Sequence, residues 1–515
     1  MIHSLIDGVR GFLSGDGALI LPEMELVLFA CGVLIIDRWL AANEKHWNAL
    51  LALAGTAFSG FTLYVQRGKI IALRETSPAA PGLLGFHQSL LADPFFLFFA
   101  ALFLAATALV VLLSVRYLEI GEEVRGSYYA LLLFACAGMM LMVSGVDWIA
   151  VLLGLQVLGL CGYLLVRFSR DEQRAASAAK RFALQWAASS VFLGAGFLLL
   201  YGLFQTANLG RIGAILGVRL DNGVASSGLT TWHAALTLIL IAIGVFLLID
   251  VAPFHWFAPG IYESAPTPIA AYLSTAAKTA GFALLLRFFS LLFLFAHDKW
   301  IHVWGGAAIV SLLWGNIAAL RQKNVKRMLA YGAVAHAGFI LLGLVAGNET
   351  GFSGILYYLA VYVFMTAGAF GILIVLEQHG GAATKLSDLD GLYLRSPAAA
   401  LLLLVFMMSL AGIPPTGGFM AKYSIVKALI AAPHPELAVF AILNALASAY
   451  YYGRVAAQAW KKPSVAAPYG LPLGTLALPI SSGQTVALTA AVFVSLAAGL
   501  YPELFLRIAR YAFGQ

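Results

Sequence analysis

Apolar runs of about twenty residues recur along the whole chain, separated by short polar connections, and each is long enough to cross a bilayer as a helix. The pattern predicts about fourteen spans, near 18–36, 48–66, 92–114, 128–145, 147–166, 181–205, 233–252, 265–288, 302–320, 327–346, 353–377, 397–430, 436–458 and 485–507. Strands of a membrane barrel would alternate over about ten residues, and these runs do not, so the fold class expected is an all-α polytopic membrane protein. Connections such as 144–147 are tight, and the longest (67–91, 206–232 and 461–484) are too short for a soluble domain, so residues 1–515 read as a single transmembrane domain. The first residues lack the basic region and cleavage site of a removable signal peptide.

Two of the runs are broken. Ala252-Pro-Phe-His-Trp-Phe-Ala-Pro259 and Ala265-Pro-Thr-Pro268 interrupt the chain around His255, and Ile413-Pro-Pro-Thr-Gly-Gly-Phe419 interrupts the twelfth span. Each break is followed by a lysine inside apolar sequence, Lys278 in the first case and Lys422 in the second. A broken helix with a buried lysine, occurring twice, predicts two inverted five-helix repeats, about 128–288 and about 302–458, with ion sites where helices 7 and 12 unwind.

An ammonium near the bilayer centre costs about 2.5–3.5 kcal/mol on insertion scales, so it is retained for a reason. A desolvated lysine can exchange a proton where an exposed one stays charged, which makes Lys278 and Lys422 the leading proton-path residues. Imidazole titrates near neutral pH, and His255, placed at the first break, could relay protons or cap freed carbonyls. Asp250 ends the apolar run 234–249, either pairing with a buried cation within reach of Lys180, Lys278 or His255 or capping the break. Lys180 opens the sixth span and by composition alone reads as an interfacial residue; Glu23, Glu25 and Glu377 read as interface or subunit-contact residues.

Composition agrees with a membrane class: 61% of the 515 residues are hydrophobic and 11% charged, with mean hydropathy +0.89. A soluble protein of this size carries about a quarter charged residues. The net charge of +7 comes mostly from loop lysines and arginines and calls for no nucleic-acid partner; the bilayer is the partner it implies. With the N-terminus outside, the inside loops hold Arg38/Lys45, Arg116/Arg125, Arg167/Arg170/Arg174, Arg321/Lys323/Lys326/Arg327, Lys385/Arg395 and Lys461/Lys462, and the outside loops hold fewer. That bias predicts both termini on the non-cytoplasmic side. Cys31, Cys136 and Cys161 lie in separate apolar segments without metal-ligand spacing, and no phosphate-binding, dinucleotide, haem or iron–sulfur motif is present, so no cofactor or metal is expected in this chain.

The long motifs Ala252-Pro-Phe-His-Trp…Tyr262-Glu-Ser-Ala-Pro-Thr-Pro268…Lys278, Asn324-Val-Lys-Arg-Met-Leu-Ala-Tyr-Gly-Ala-Val-Ala-His-Ala-Gly-Phe339, Tyr357-Tyr-Leu-Ala-Val-Tyr-Val-Phe-Met-Thr-Ala-Gly-Ala-Phe370 and Leu410-Ala-Gly-Ile-Pro-Pro-Thr-Gly-Gly-Phe419…Lys422 carry a resemblance. The chain resembles the antiporter-like membrane subunits of respiratory complex I, and among them the subunit N family of NADH–quinone oxidoreductases. The resemblance implies a non-redox, proton-translocating membrane-arm subunit of a translocase in the cell inner membrane. It implies other membrane-arm subunits as partners, with quinone, NADH, FMN and iron–sulfur clusters in partner subunits. The family's functional lysines fall on Lys278, Lys422 and Lys180. Its span-five glutamate falls on Gln156 and its span-seven lysine on Leu248, so the usual Glu–Lys pair is missing, and Asp250 stands two residues beyond. Related readings from the same fold are a subunit of a multi-subunit cation/proton antiporter or membrane-bound hydrogenase, and a non-pumping spacer.

Overall fold

Helices satisfy their own backbone hydrogen bonds without water, and the apolar runs of this chain take that solution almost everywhere. The computed structural model describes residues 15–41, 44–77, 80–120, 126–168, 172–221, 232–293, 297–377, 384–462 and 480–513. In chain order the helices are α1 (Leu21–Ile36), α2 (Trp47–Thr76), α3 (Pro94–Ile120), α4 (Gly126–Ser144), α5 (Trp148–Val166), α6 (Glu172–Phe204), α7 (Leu209–Asp221), α8 (Trp232–Leu248) and α9 (Ala258–Ser264). They continue with α10 (Thr267–Leu292), α11 (His297–Leu320), α12 (Val325–Ala346), α13 (Glu349–Glu377), α14 (Pro397–Ala411), α15 (Gly417–Ala431), α16 (Pro435–Ala459), α17 (Ser482–Leu500) and α18 (Pro502–Ala512). Ten described helices are long and apolar enough to cross a membrane, and the apolar parts of α8 and α14 are shorter.

Burial sorts the helices. The spanning windows of α10, α12 and α13 are 94%, 94% and 89% buried, so these three form the centre of the bundle and are apolar all round. Outer helices such as α6 and α17 leave most of their surface facing outward. Helix ends follow local chemistry. Asp147 caps α5 by accepting from the Ile149 amide at 2.9 Å, and Asn324 caps α12 by accepting from the Arg327 amide at 3.1 Å. Buried Arg287 of α10 pairs with Asp93, which precedes α3, and adds a hydrogen bond to the Val143 carbonyl of α4, tying three helices at one end.

Two expectations change. Residues 67–91 were expected to form a loop; α2 instead runs on to Thr76 and is followed by a hairpin, β1 (Leu83–Gly85) paired antiparallel with β2 (Leu90–Ala92). The last span, expected at 485–507, stops at Leu500, because Pro502 cannot continue the α17 ladder. Amphipathic α18 follows it. Within the expected connections, 222–231 and 463–479 lie outside the described residues, as do the first fourteen residues, on which the signal-peptide reading falls.

Both expected breaks are present. α8 ends at Leu248, and Asp250 takes a left-handed backbone conformation (φ 56°) before the irregular stretch leading to α9. Aspartate tolerates that conformation better than most residues. The twelfth run divides into α14 and α15 around Gly412, which is also left-handed (φ 79°).

Candidate functional site

Lys278 opens the second half of α10, directly after a π-helical turn over Leu273–Ala277. Such turns interrupt the regular ladder and occur often at functional sites. The side chain is buried, and its ammonium lies 3.0 Å from Asp250 Oδ2 and 3.4 Å from the Ala333 carbonyl of α12. Asp250 is held by more than the lysine. Gln185 of α6 donates from Nε2 to Asp250 Oδ1 at 2.6 Å and to the Leu247 carbonyl, freed at the end of α8, at 2.6 Å. The Tyr262 hydroxyl of α9 donates to Oδ2 at 3.4 Å. An ion pair out of water repays its desolvation only when the remaining lone pairs are also bonded, and this one has those partners. A cavity of about 60 Å³, lined by Gln185, Ser189, Leu248, Asp250, Tyr262 and Lys278 among others, abuts the pair. That space and those polar groups suit one or two waters.

Ala333 leads one helical turn on to His336, which is buried in the centre of the bundle. Its Nδ1 is 2.7 Å from the Tyr358 hydroxyl of α13 and its Nε2 is 3.2 Å from the Tyr452 hydroxyl of α16. Both ring nitrogens are therefore in hydrogen bonds, with donor and acceptor set by the tautomer. Gly332 makes the second contact possible: a Cβ there would lie 2.2 Å from the Tyr452 oxygen. Phe339, one further turn along α12, faces the second lysine, whose ammonium is 5.1 Å from the ring centroid.

Lys422 is anchored at the second break. Its ammonium donates to the Ala411 carbonyl at 2.7 Å and the Leu410 carbonyl at 3.2 Å, both at the open end of α14, and to Ser448 Oγ of α16 at 2.9 Å. No carboxylate pairs with it among the described residues. Asp250, Lys278, His336, Lys422 and Ser448 thus form a buried polar row across a membrane bundle.

The remaining expected residues fall beside the row. His255 is buried, with its ring edge-on to Trp314 at 5.8 Å, and its Nδ1 has no hydrogen-bond partner among the described residues; the place between the two lysines belongs to His336. Lys180 is exposed on the outer face of α6. Asp250 meets Lys278 and not Lys180. Gln156 donates to Ser190 Oγ at 3.1 Å and Leu248 lines the cavity beside Asp250, so neither position carries a charge into the row.

Sequence reasoning passed over three sets of residues. His336 stands inside one of the quoted motifs, and a lone histidine in a fully apolar span was the available signal. Gln185 is 65 positions from Asp250 and left no signal. Lys326 and Glu377 read as a loop residue and a subunit contact, yet the structure buries them together: Lys326 lies 3.5 Å from Glu377, 2.9 Å from Thr267 Oγ1 and 3.1 Å from the Ala265 carbonyl. Glu23, also read as a contact residue, is buried within the chain against neighbouring helices.

Broken helices that hold buried lysines at mid-bundle define an antiporter-like membrane subunit. Residues 144–447 match the family model described as NADH:quinone oxidoreductase/Mrp antiporter, TM. The chain belongs to this family. It is 38% identical over 510 residues to NADH-quinone oxidoreductase subunit N 2 of Solibacter usitatus, covering 98% of this chain and 99% of that one. It is 40% identical over 501 residues to NADH-quinone oxidoreductase subunit N 1 of Koribacter versatilis, covering 96% and 95%. Among solved structures, a chain of respiratory complex I from Thermus thermophilus with bound aureothin superposes with TM-score 0.74 at 27% identity over 94% of this chain and 98% of that one. A chain of the Mrp complex from Dietzia sp. DQ12-45-1b superposes with TM-score 0.77 at 19% identity, over 95% and 96%, which speaks to the fold.

Proposed function

We propose that the chain is the subunit N-type membrane-arm component of a proton-translocating NADH–quinone oxidoreductase, and that it moves a proton along the row from Lys278 through His336 to Lys422. The observation that carries this reading is the Asp250–Lys278 ion pair at 3.0 Å, on the same buried row as the ammonium of Lys422, which no carboxylate among the described residues pairs with. While Asp250 faces Lys278, the ammonium is favoured and the proton stays. If Asp250 swings away, an uncompensated buried charge is left, worth about 3–5 kcal/mol, and the proton is driven toward His336. A histidine bonded at both nitrogens can accept at one and release at the other. Lys422, held only by neutral oxygens, is the next group able to take the proton.

In this reading the chain itself is non-redox, and quinone, NADH, FMN and iron–sulfur chemistry belongs to partner subunits. Asp250 takes the charge-pairing part that Gln156 and Leu248 do not supply. His255, beside the first break, serves as a lateral branch of the path, and exposed Lys180 faces a neighbouring subunit. The reading also takes in the inner membrane as location, both termini on the non-cytoplasmic side, and segments 128–288 and 302–458 as the two inverted repeats. The repeats are supported by a shared device: each lysine meets the broken end of the helix preceding it, Lys278 at Asp250 and Lys422 at the Leu410 and Ala411 carbonyls. Purified complex in sealed vesicles, assayed for protons moved per NADH oxidised with wild-type chain and Lys278→Ala, tests the proposal. A deficit in the variant at intact assembly supports it, and equal stoichiometry overturns it.

A further inference from the structure

The amphipathic helix α18 packs on the bundle through α13, where Phe513 stacks on Phe352 and Phe505 meets the edge of Tyr357. Between α18 and the start of α3 lies an open groove of about 690 Å³, away from the polar row. Its walls are apolar: Leu97, Phe98, Ala101 and Ala105 on α3 face Leu504 and Ile508 on α18. Leu97 and Ala105 are eight helical rises apart, so the slot runs for about 12 Å along the helix axis.

The groove also carries polar groups. Arg67 of α2 and Arg507 of α18 both line the groove, and neither has a hydrogen-bond or ion-pair partner among the described residues. Glu503, one turn before Arg507, pairs with Arg510 at 3.2 Å instead. The Tyr511 hydroxyl, also lining the groove, is buried with no partner. Two free guanidinium groups on an apolar groove match an amphiphile with an anionic head and a hydrocarbon tail. An apolar helix from another protein would fill the slot and leave those donors unmatched. The position of α18 agrees, since an amphipathic helix after a proline break lies naturally at the bilayer interface, where such headgroups are.

We propose that this groove binds one anionic phospholipid, with an acyl chain between α3 and α18 and its phosphate held by Arg67 and Arg507. The test uses the intact complex in lipid nanodiscs containing photoactivatable phosphatidylglycerol or phosphatidylcholine with a diazirine in the acyl chain, followed by peptide mapping. Phosphatidylglycerol should label residues 94–105 and 502–513 in preference to phosphatidylcholine. The double substitution Arg67→Gln/Arg507→Gln should lower that labelling about 30-fold, as expected for two basic side chains facing an anionic lipid. Arg510→Gln, which removes a paired arginine, should leave it unchanged. Ala101→Trp, which fills the slot, should abolish labelling by either lipid, and it decides the matter should the double variant fail to assemble. Equal labelling by the two lipids, labelling indifferent to both substitutions, or cross-links from this groove to another subunit in place of lipid would each overturn the proposal.

Discussion

Asp250 reaches Lys278 across the end of its own helix: α8 stops at Leu248, the backbone of Asp250 turns left-handed, and the carboxylate so directed lies 3.0 Å from the ammonium on α10. The helix break and the ion pair are one feature, because a continuing helix would give Asp250 another direction. Gln185, bonded to both the carboxylate and the freed Leu247 carbonyl, holds that geometry from α6.

Asp250→Asn removes the charge while keeping the shape. The complex is expected to assemble and oxidise NADH with proton transfer reduced several-fold, measured as protons moved per electron pair. Asp250→Ala leaves the lysine without its charge partner and should destabilise the chain by about 3–5 kcal/mol, read as a lower melting temperature of the purified complex. With Lys278→Ala added, most of that loss should disappear, since the two residues interact directly.

Gln185→Leu deletes the donor to Asp250 without touching the ion pair. The unsatisfied carboxylate oxygen and Leu247 carbonyl should cost about 1–3 kcal/mol, with a partial loss of coupling smaller than that of Asp250→Asn. Coupling at the wild-type level in Gln185→Leu would show that Asp250 holds its place without it.

His336→Ala is expected to cut proton transfer through this chain about a hundredfold, the lower end of what a positioned proton-transfer group contributes. His255→Ala should retain more of it, as His255 stands outside the hydrogen-bonded row. Vesicle acidification assays on both variants separate the two histidines, and the reverse ranking would move the route to His255.

Gly412→Ala attacks the second lysine indirectly. Its left-handed conformation disfavours any side chain, and the added Cβ would lie 2.7 Å from the Lys422 Cδ. Coupling should fall although no charged group is changed. Lys422→Arg should fall nearly as far as Lys422→Ala, because a guanidinium stays charged and cannot hand the proton on. Full activity in the arginine variant would mean that a fixed charge suffices there.

The charged members of the row were legible before any coordinates, because Lys278, Lys422 and Asp250 interrupt apolar sequence where a charge is costly. Both helix breaks were legible from their prolines. The polar neutral members were not. Tyr358 and Tyr452 look like packing residues until His336 is seen between them, and Gln185 meets Asp250 only through the packing of α6 against α8. Loop charge counting concealed Lys326, whose ammonium turns inward to Glu377. The stop at Pro502 was readable in principle, but the apolar residues that follow it sustained the impression of one long span.

The central claim is that a proton crosses this chain along the Asp250–Lys278–His336–Lys422 row. The most direct test compares protons translocated per NADH oxidised in sealed vesicles for the wild-type complex and for complexes bearing Lys278→Ala or Lys422→Ala in this chain alone, with assembly verified. Transfer along the row predicts the same reduced stoichiometry in both variants, at unchanged electron transfer to quinone with an uncoupler present. Wild-type stoichiometry in both would contradict it and leave the chain as a spacer between pumping neighbours.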